Sequence, residues 1–168
     1  DDGHRQHGSE VARAARFRQD RGVSARRVVY AVNPSAGRGV PAELGRRLAG
    51  GVDGGPLPDL EVVLVTAGSM PELRGRVVAE LAHPGGVDAL VVMGGDGMVS
   101  LGAGLVAGTG VPLGIVPAGT GNDFARGAGI PRGAQAVGIE RMLTALRTGD
   151  AGVREVDVVR LALDGVEH

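Results

Sequence analysis

The sequence predicts a doubly wound α/β domain, in which helices cover both faces of a mostly parallel sheet. The first observation is a series of short, continuous apolar runs, which are typical of strands buried on both faces. The second is that helical stretches alternate with these runs, as in successive β–α units. The third is that glycine-rich loops follow three of the predicted strands, at 33–39, 94–97 and 118–123.

The elements follow one another in a regular order. The predicted strands are the buried run that begins at Arg27, LEVVLVT (60–66), VDALVVM (87–93), VPLGIVP (111–117) and VREVDVVRLAL (153–163). The predicted helices are VPAELGRRLAG (40–50), SMPELRGRVVAELAH (69–83), MVSLGAGLVAG (98–108) and the stretch 135–148. In the second helix Ser69 is the expected N-cap, Pro71 lies in the first turn, and Glu72 occupies the capping-box position.

Composition restricts the chemistry that this chain can perform. The 168 residues suffice for one domain, and 43% hydrophobic with 22% charged residues is typical of a folded globular protein. There is no cysteine, so disulfides and thiolate metal sites are excluded, and a reducing cytosol is allowed. Lysine is also absent and all 18 basic residues are Arg. A phosphate must therefore be held by backbone N–H groups, hydroxyls, Arg or a metal.

Several functional classes are excluded or disfavoured by the same composition. The formal net charge is −1 and aromatic residues make up 2%, which argues against a nucleic-acid-binding module. No apolar run approaches the length of a transmembrane segment, and no signal peptide is visible. We expect a cytoplasmic protein.

The segment GGDG at 94–97 places one carboxylate, that of Asp96, among glycines. Glycines bring backbone N–H groups close to an anion, and a helix that begins at the turn adds its positive dipole end. A carboxylate there would repel phosphate unless Mg²⁺ lies between them. Asp96 could instead act as a general base, or simply cap the following helix. The three glycine-rich loops should emerge together at the carboxyl edge of the sheet, where such folds bind ligands.

Three motifs resemble the diacylglycerol kinase catalytic-domain family: NPSAG at 33–37, GGDG at 94–97 and PAGTGNDFAR at 117–126. They occur in the family's order, and the resemblance covers roughly residues 27–163. It implies the N-terminal domain of an NAD kinase/diacylglycerol kinase-like fold. It also implies an ATP-dependent lipid kinase that transfers the γ-phosphoryl of ATP to a lipid hydroxyl with Mg²⁺. The alternatives are an NAD kinase-like enzyme and a non-catalytic nucleotide-binding or regulatory module.

The resemblance also implies roles for individual residues. Asp96 matches the family's aspartate at the phosphates and metal, and is the expected catalytic and metal-binding residue. The expected nucleotide-binding residues are Asn33, Ser35, Gly37, Thr66, Gly94, Gly95, Gly97, Thr120, Gly121, Asn122 and Asp123. Simpler interpretations remain open: Thr66 as a strand-end hydroxyl bonded to local backbone, Asp123 as a helix cap, and Phe124 as a core residue. The chain departs from the family pattern at Met98, Leu101 and Gly104.

The same resemblance implies a domain organisation. Residues 1–26 are predicted to be an Arg-rich tail, 27–152 the nucleotide-binding α/β kinase domain, and 153–168 a strand leading into a C-terminal β-rich domain that this chain lacks. The family's general base is expected in that second domain, so the chain alone is expected to be inactive. The expected partner is a lipid substrate at the inner membrane surface, with no nucleic acid. A homo-oligomer is left open.

Overall fold

The computed structural model describes residues 26–35, 60–130, 154–158, 162–163 and 166–167. The strands in these ranges are β1 (Arg26–Val32), β2 (Leu60–Val65), β3 (Ala89–Gly94), β4 (Leu113–Pro117), β5 (Ala162–Leu163) and β6 (Val166–Glu167). The helices are α1 (Met70–Leu81), α2 (Asp96–Val106) and α3 (Asp123–Gly127). The predicted helices at 40–50 and 135–148, and the tail up to residue 25, lie outside the described residues.

Four parallel strands form the central sheet in the order β2-β1-β3-β4. This arrangement, with α1 and α2 as crossover helices, confirms the predicted parallel α/β fold. The strand order reverses between β1 and β3, since β2 lies on one side of β1 while β3 and β4 lie on the other. The register aligns Val32 with Met93, and Met93 with Val116, so these three strands end at nearly the same level. Ligands bind at such a reversal in open α/β sheets.

Both faces of the sheet are buried, as the continuous apolar runs predict. On one face Val28, Tyr30 and Val32 pack with side chains of β3 and β4. On the other, alternate strand residues pack against α1 and α2. The helix residues in that second cluster are Leu73 and Val77 of α1 with Met98 and Val106 of α2. The two crossover helices therefore cover the same face.

The start of α1 agrees with the capping signal in the sequence. Ser69 is the N-cap, and its Oγ accepts the N–H of Glu72 at 3.4 Å. Glu72 Oε2 accepts the N–H of Gly68 at 2.9 Å, one residue earlier than in the standard capping box. These bonds satisfy backbone donors that the first turn would otherwise leave without a partner.

Two predicted boundaries are wrong. The loop expected at 94–97 is mostly regular structure, because Gly94 ends β3 and α2 begins at Asp96, two residues before the predicted start at Met98. Of the strand expected over 153–163, the described residues contain Ala162–Leu163, which pairs antiparallel with β6. Residues 154–158 form no regular structure, and Val156 and Val158 are 63% and 52% exposed. Alternating apolar residues favour a strand only where a sheet face is available to bury them.

Arg27 joins three elements at the opposite edge of the sheet. Its guanidinium pairs with Glu61 of β2 and Glu80 of α1, and its backbone N–H donates to Asp88 Oδ2 at 2.7 Å. This cluster fixes the N-terminal ends of the strands, away from the glycine-rich loops. In the part of the chain that the structure describes, no helix is both long and apolar enough to cross a bilayer.

Candidate active site

The loop after β1 is tied to the end of β3. The N–H of Asn33 donates to the carbonyl of Met93 at 3.0 Å, and the side-chain Oδ1 of Asn33 accepts the N–H of Ser35 at 2.8 Å. A Cβ on Gly94 would lie 3.2 Å from Cβ of Asn33 and 2.5 Å from Cγ of Met98. A side chain at position 94 would therefore clash with Asn33 and Met98, so glycine is needed there. The rest of this predicted loop, including Gly37, lies outside the described residues.

The loops that follow β3 and β4 touch through their backbones. A Cβ on Gly119 would lie 2.5 Å from Cα and 2.9 Å from N of Gly95. The N–H of Ala118 donates to the carbonyl of Gly94 at 2.9 Å, which extends the pairing of β3 and β4 into these loops. Side chains larger than hydrogen would separate the two segments, so glycine is needed at the contact.

Asn122 is buried at the start of α3, with 7% of its surface exposed. Its φ is +54°, in the left-handed region that Asn tolerates better than most residues. Oδ1 accepts the N–H of Gly119 at 3.1 Å and Nδ2 donates to the carbonyl of Gly119 at 2.5 Å. Asn122 is the N-cap of α3, yet its side chain makes no capping bond because the amide is committed to Gly119.

The carboxylate of Asp96 supplies the missing cap. Oδ2 accepts the N–H of Asp123 at 3.1 Å and Oδ1 accepts the N–H of Phe124 at 3.0 Å. Asp96 is also the first residue of α2, whose own N-cap, Gly95, has no side chain. The simpler interpretation of Asp96 as a helix cap is thus correct in kind, but the helix is α3 rather than α2.

These contacts define the charge state of Asp96. The N–H of Phe124, followed by that of Asp123, lowers the pKa of this carboxyl below its ordinary value. Hydrogen bonds to the ionised form stabilise it. A carboxylate with a lowered pKa is a weak proton acceptor, whereas its retained charge suits a cation. The retained charge and the two N–H bonds therefore suit Asp96 to bind a cation.

A second carboxylate lies across Gly121 from Asp96. A Cβ on Gly121 would lie 3.2 Å from Oδ2 of Asp96 and 3.9 Å from Oδ2 of Asp123. Arg126 pairs with Oδ1 of Asp123 at 2.8 Å and donates to the carbonyl of Gly121 at 3.2 Å. No cluster of three or more His, Asp and Glu side chains that could hold a metal occurs among the residues described. Two carboxylates with phosphate and water ligands would suffice for Mg²⁺, which rarely occupies an all-protein cage.

The other predicted site residues are distributed around this centre. Gly97, Thr120 and Gly121 are exposed, and Gly121 lies close to the Asp96 carboxylate. Thr66 directly follows β2. Because β1 lies between β2 and β3, the end of β2 is about 10 Å from the end of β3. The carbonyl of Thr66 accepts a bond from Arg76 at 2.9 Å.

Two side chains differ from their expected environments. Phe124 was expected in the core but is 41% exposed, because it lies in the first turn of α3 at the open edge of the sheet. Met98, a departure from the family pattern, is buried and packs under Gly94. Sequence reasoning did not single out Gly119, although its place in PAGTGNDFAR, directly after a predicted strand, was an available signal.

Comparison with known proteins places the chain in a family. The model of the diacylglycerol kinase catalytic domain matches residues 27–161, which is most of the chain. The chain therefore belongs to the diacylglycerol kinase catalytic domain family, a family of kinases.

The relatives include diacylglycerol kinases from two strains of Mycobacterium tuberculosis, CDC 1551 / Oshkosh and ATCC 25618 / H37Rv. Each is 47% identical over 72 residues, which is 43% of this chain and 23% of the relative. A crystal structure of a Bacillus anthracis str. Sterne protein assigned as a diacylglycerol kinase superposes with a TM-score of 0.50 at 25% identity. That match covers 74% of this chain and 43% of the other. The matches thus span less than half the length of these relatives.

Proposed function

We propose that this chain is the nucleotide-binding part of an ATP-dependent lipid kinase. The observation that carries the proposal is that the segments after β1 and β4 both contact the segment after β3, at Gly94 and Gly95, directly before Asp96. Membership of the diacylglycerol kinase catalytic domain family supports a lipid hydroxyl as acceptor, rather than the dinucleotide of an NAD kinase-like enzyme. Kinase chemistry depends on positioning the phosphates and balancing their charge, and this edge of the sheet offers groups for both tasks.

The phosphates of ATP would be held mainly by backbone. The N-cap of α2 is Gly95, which has no side chain to cap the first N–H groups of this 11-residue helix. Such a helix start attracts anions. Gly94 and Gly97 belong to the same segment, and Ser35 and Thr120 are exposed beside it. The chain has no lysine to hold the phosphates. In the proposed site, backbone N–H groups take that role.

Mg²⁺ fits the acidic side of the same centre. Asp96 would hold it, with Asp123 as the second carboxylate across Gly121. Both carboxylates lie within 4 Å of a Cβ built on Gly121, and the charge of Asp96 is stabilised by two peptide N–H groups. When bound, Mg²⁺ neutralises phosphate charge as phosphoryl transfer proceeds. Asp96 and Asp123 would orient that cation, and Arg126 would hold Asp123 in place.

The lipid acceptor and the membrane surface complete the proposal. The matched stretches amount to 23% of the Mycobacterium relatives and 43% of the Bacillus protein, so we propose that transfer needs further sequence of the kind those relatives contain. The 168-residue chain alone would then bind nucleotide without phosphorylating lipid. The proposed location is the cytoplasm, with peripheral contact at the inner membrane surface.

Calorimetry on the 168-residue chain tests nucleotide binding directly. We expect weak binding of ATP or ADP that requires Mg²⁺ and disappears with EDTA. A folded chain that binds neither nucleotide at millimolar concentration would contradict the proposal. Transfer of labelled phosphate from ATP to a panel of lipids, measured on the chain and on a longer protein that contains it, tests the activity. Turnover by the isolated chain would contradict the proposed need for further sequence.

A further inference from the structure

Among the residues described, Asn122 is the one buried residue with an amide or charged side chain. Both polar groups of its amide bond to the backbone of one residue: Oδ1 accepts the N–H of Gly119, and Nδ2 donates to the carbonyl of Gly119. A buried amide needs such partners, because an unpaired polar group in the interior costs more than the bond returns. The described hydrogen bonds of the Asn122 side chain are made to Gly119, and the residue is buried.

Gly119, the residue whose backbone Asn122 holds, is also the residue that touches the neighbouring loop. Gly119 packs so closely on Gly95 that a Cβ on Gly119 would lie 2.5 Å from Cα of Gly95. Gly95 in turn is the N-cap of α2 and directly precedes Asp96. A single side chain thus fixes the segment after β4 against the segment after β3.

The backbone of Asn122 has a second consequence. With φ at +54°, the chain turns sharply into α3, and the next two N–H groups, those of Asp123 and Phe124, reach the carboxylate of Asp96. If the Asn122 side chain formed the usual cap by accepting the N–H of the second helical residue, it would compete with Asp96 for the N–H of Phe124. Because it bonds Gly119 instead, both N–H groups remain available to Asp96.

We propose that Asn122 is a positioning residue: its amide holds Gly119 against Gly95 and thereby aims the first N–H groups of α3 at Asp96. This role differs from the direct nucleotide contact expected from the sequence. Its consequence for nucleotide affinity rests on the proposed function, but its consequence for the geometry around Asp96 does not.

The first test measures the nucleotide-free chain by NMR. Asn122→Gly allows the left-handed backbone conformation without strain and removes the whole side chain, including the amide. Asp96→Ala gives the amide shifts that Asp123 and Phe124 adopt without their acceptor. We expect Asn122→Gly to move both amide resonances most of the way toward those values. The control Ser100→Ala, on the exposed side of α2, should leave them at the wild-type positions. Unmoved Asp123 and Phe124 resonances in a folded Asn122→Gly chain would overturn the proposal.

A second variant covers the case in which Asn122→Gly does not fold. Asn122→Asp keeps an acceptor for the Gly119 N–H but places an oxygen against the Gly119 carbonyl. It should move the same two resonances in the same direction, by a smaller amount. If neither variant folds, Asn122 stabilises the whole domain rather than positioning one turn, and the proposal is wrong.

The second test measures ADP affinity in the presence of Mg²⁺ on the same variants. Loss of the paired amide bonds should weaken binding about tenfold in Asn122→Gly. Weaker binding with unmoved amide resonances would indicate direct contact with ADP and overturn the positioning role. If wild-type chain binds no ADP, the proposed function fails, while the NMR result still decides whether Asn122 positions the turn.

Discussion

Asp96 and Phe124 are 28 positions apart in the sequence, and Oδ1 of Asp96 accepts the backbone N–H of Phe124 at 3.0 Å. With the parallel bond from Asp123, this contact brings the start of α3 to the start of α2. One carboxylate therefore lies at the N-terminal ends of two helices, where a negative charge is stabilised. Any cation that binds Asp96 must share it with these donors.

The Gly95–Gly119 contact should not accept a methyl group. In Gly119→Ala the new Cβ would meet the backbone of Gly95 at 2.5 Å, and a backbone atom cannot rotate away. We expect a loss of about 1–3 kcal/mol in the free energy of unfolding, the usual cost of overpacking, measured by denaturant titration. Gly127→Ala is the control, because a Cβ on Gly127 in α3 would meet nothing within 4 Å. Equal stability of the two variants would show that the loops can separate without cost.

Two glycines of α2 form a matched pair that measures how closely this helix packs. A Cβ on Gly102 would lie 2.7 Å from Leu113 Cδ1 and 2.9 Å from Val92 Cγ1, whereas a Cβ on Gly104 would meet nothing within 4 Å. Gly104→Ala should stabilise the chain by up to about 1 kcal/mol through helix propensity. Gly102→Ala has the same propensity gain, so a lower stability than Gly104→Ala isolates the cost of the contact. If both variants were stabilised equally, α2 would not be packed closely on β3 and β4.

The start of α1 should make stability depend on pH. The N–H of Gly68, followed by the charge of Arg76, lowers the pKa of Glu72. A lowered folded-state pKa means that the stabilisation is present above the unfolded value of about 4.3 and is lost as pH falls through the folded value. Glu72→Gln should therefore lower the melting temperature at pH 7, and the difference from wild type should close in acid. Glu155→Gln, at an exposed position, should match wild type at both pH values. A Glu72→Gln deficit that persists unchanged in acid would contradict this assignment.

The strands and the start of α1 could be predicted from local sequence. Val28 to Val32 and Leu90 to Met93 form continuous apolar runs, and the structure buries them on both faces. Ser69 and Glu72 lie three positions apart, and their capping bonds follow from that spacing. These features depend on residues close together in the chain.

The centre of the site depends on residues that are distant in the chain. The sequence indicates that Asp96 lies in a turn, but not that its carboxylate caps a helix 27 to 28 residues later. Nor does the spacing reveal that the amide of Asn122 is turned toward Gly119. The alternating residues around Val156 and Val158 predicted a strand, but both side chains are exposed and these residues form no strand. A strand needs a neighbouring strand to pair with, and the local sequence pattern does not show whether one is present.

Asp96→Asn separates the structural role of Asp96 from the proposed role in phosphoryl transfer. Asn keeps one carbonyl acceptor for the N–H groups of Asp123 and Phe124, but its NH₂ group would face the other donor. The cap should therefore weaken, and the melting temperature should fall slightly. In a longer protein that phosphorylates lipid, loss of the charge should reduce the rate far more, by about a hundred- to a thousandfold, the scale on which loss of one electrostatic stabiliser acts.

The control for that experiment must weaken the cap without removing the charge. Asn122→Gly does so, because Asp96 keeps its carboxylate while the start of α3 is less firmly held. A large loss of rate in Asp96→Asn, with a melting temperature close to that of Asn122→Gly, supports the charge as the functional feature. Equal losses of rate in the two variants would mean that the cap matters and the charge does not. A wild-type rate in Asp96→Asn would leave Asp96 with the single task of joining α2 to α3, because a ligand of Mg²⁺ cannot lose its charge without consequence for phosphoryl transfer.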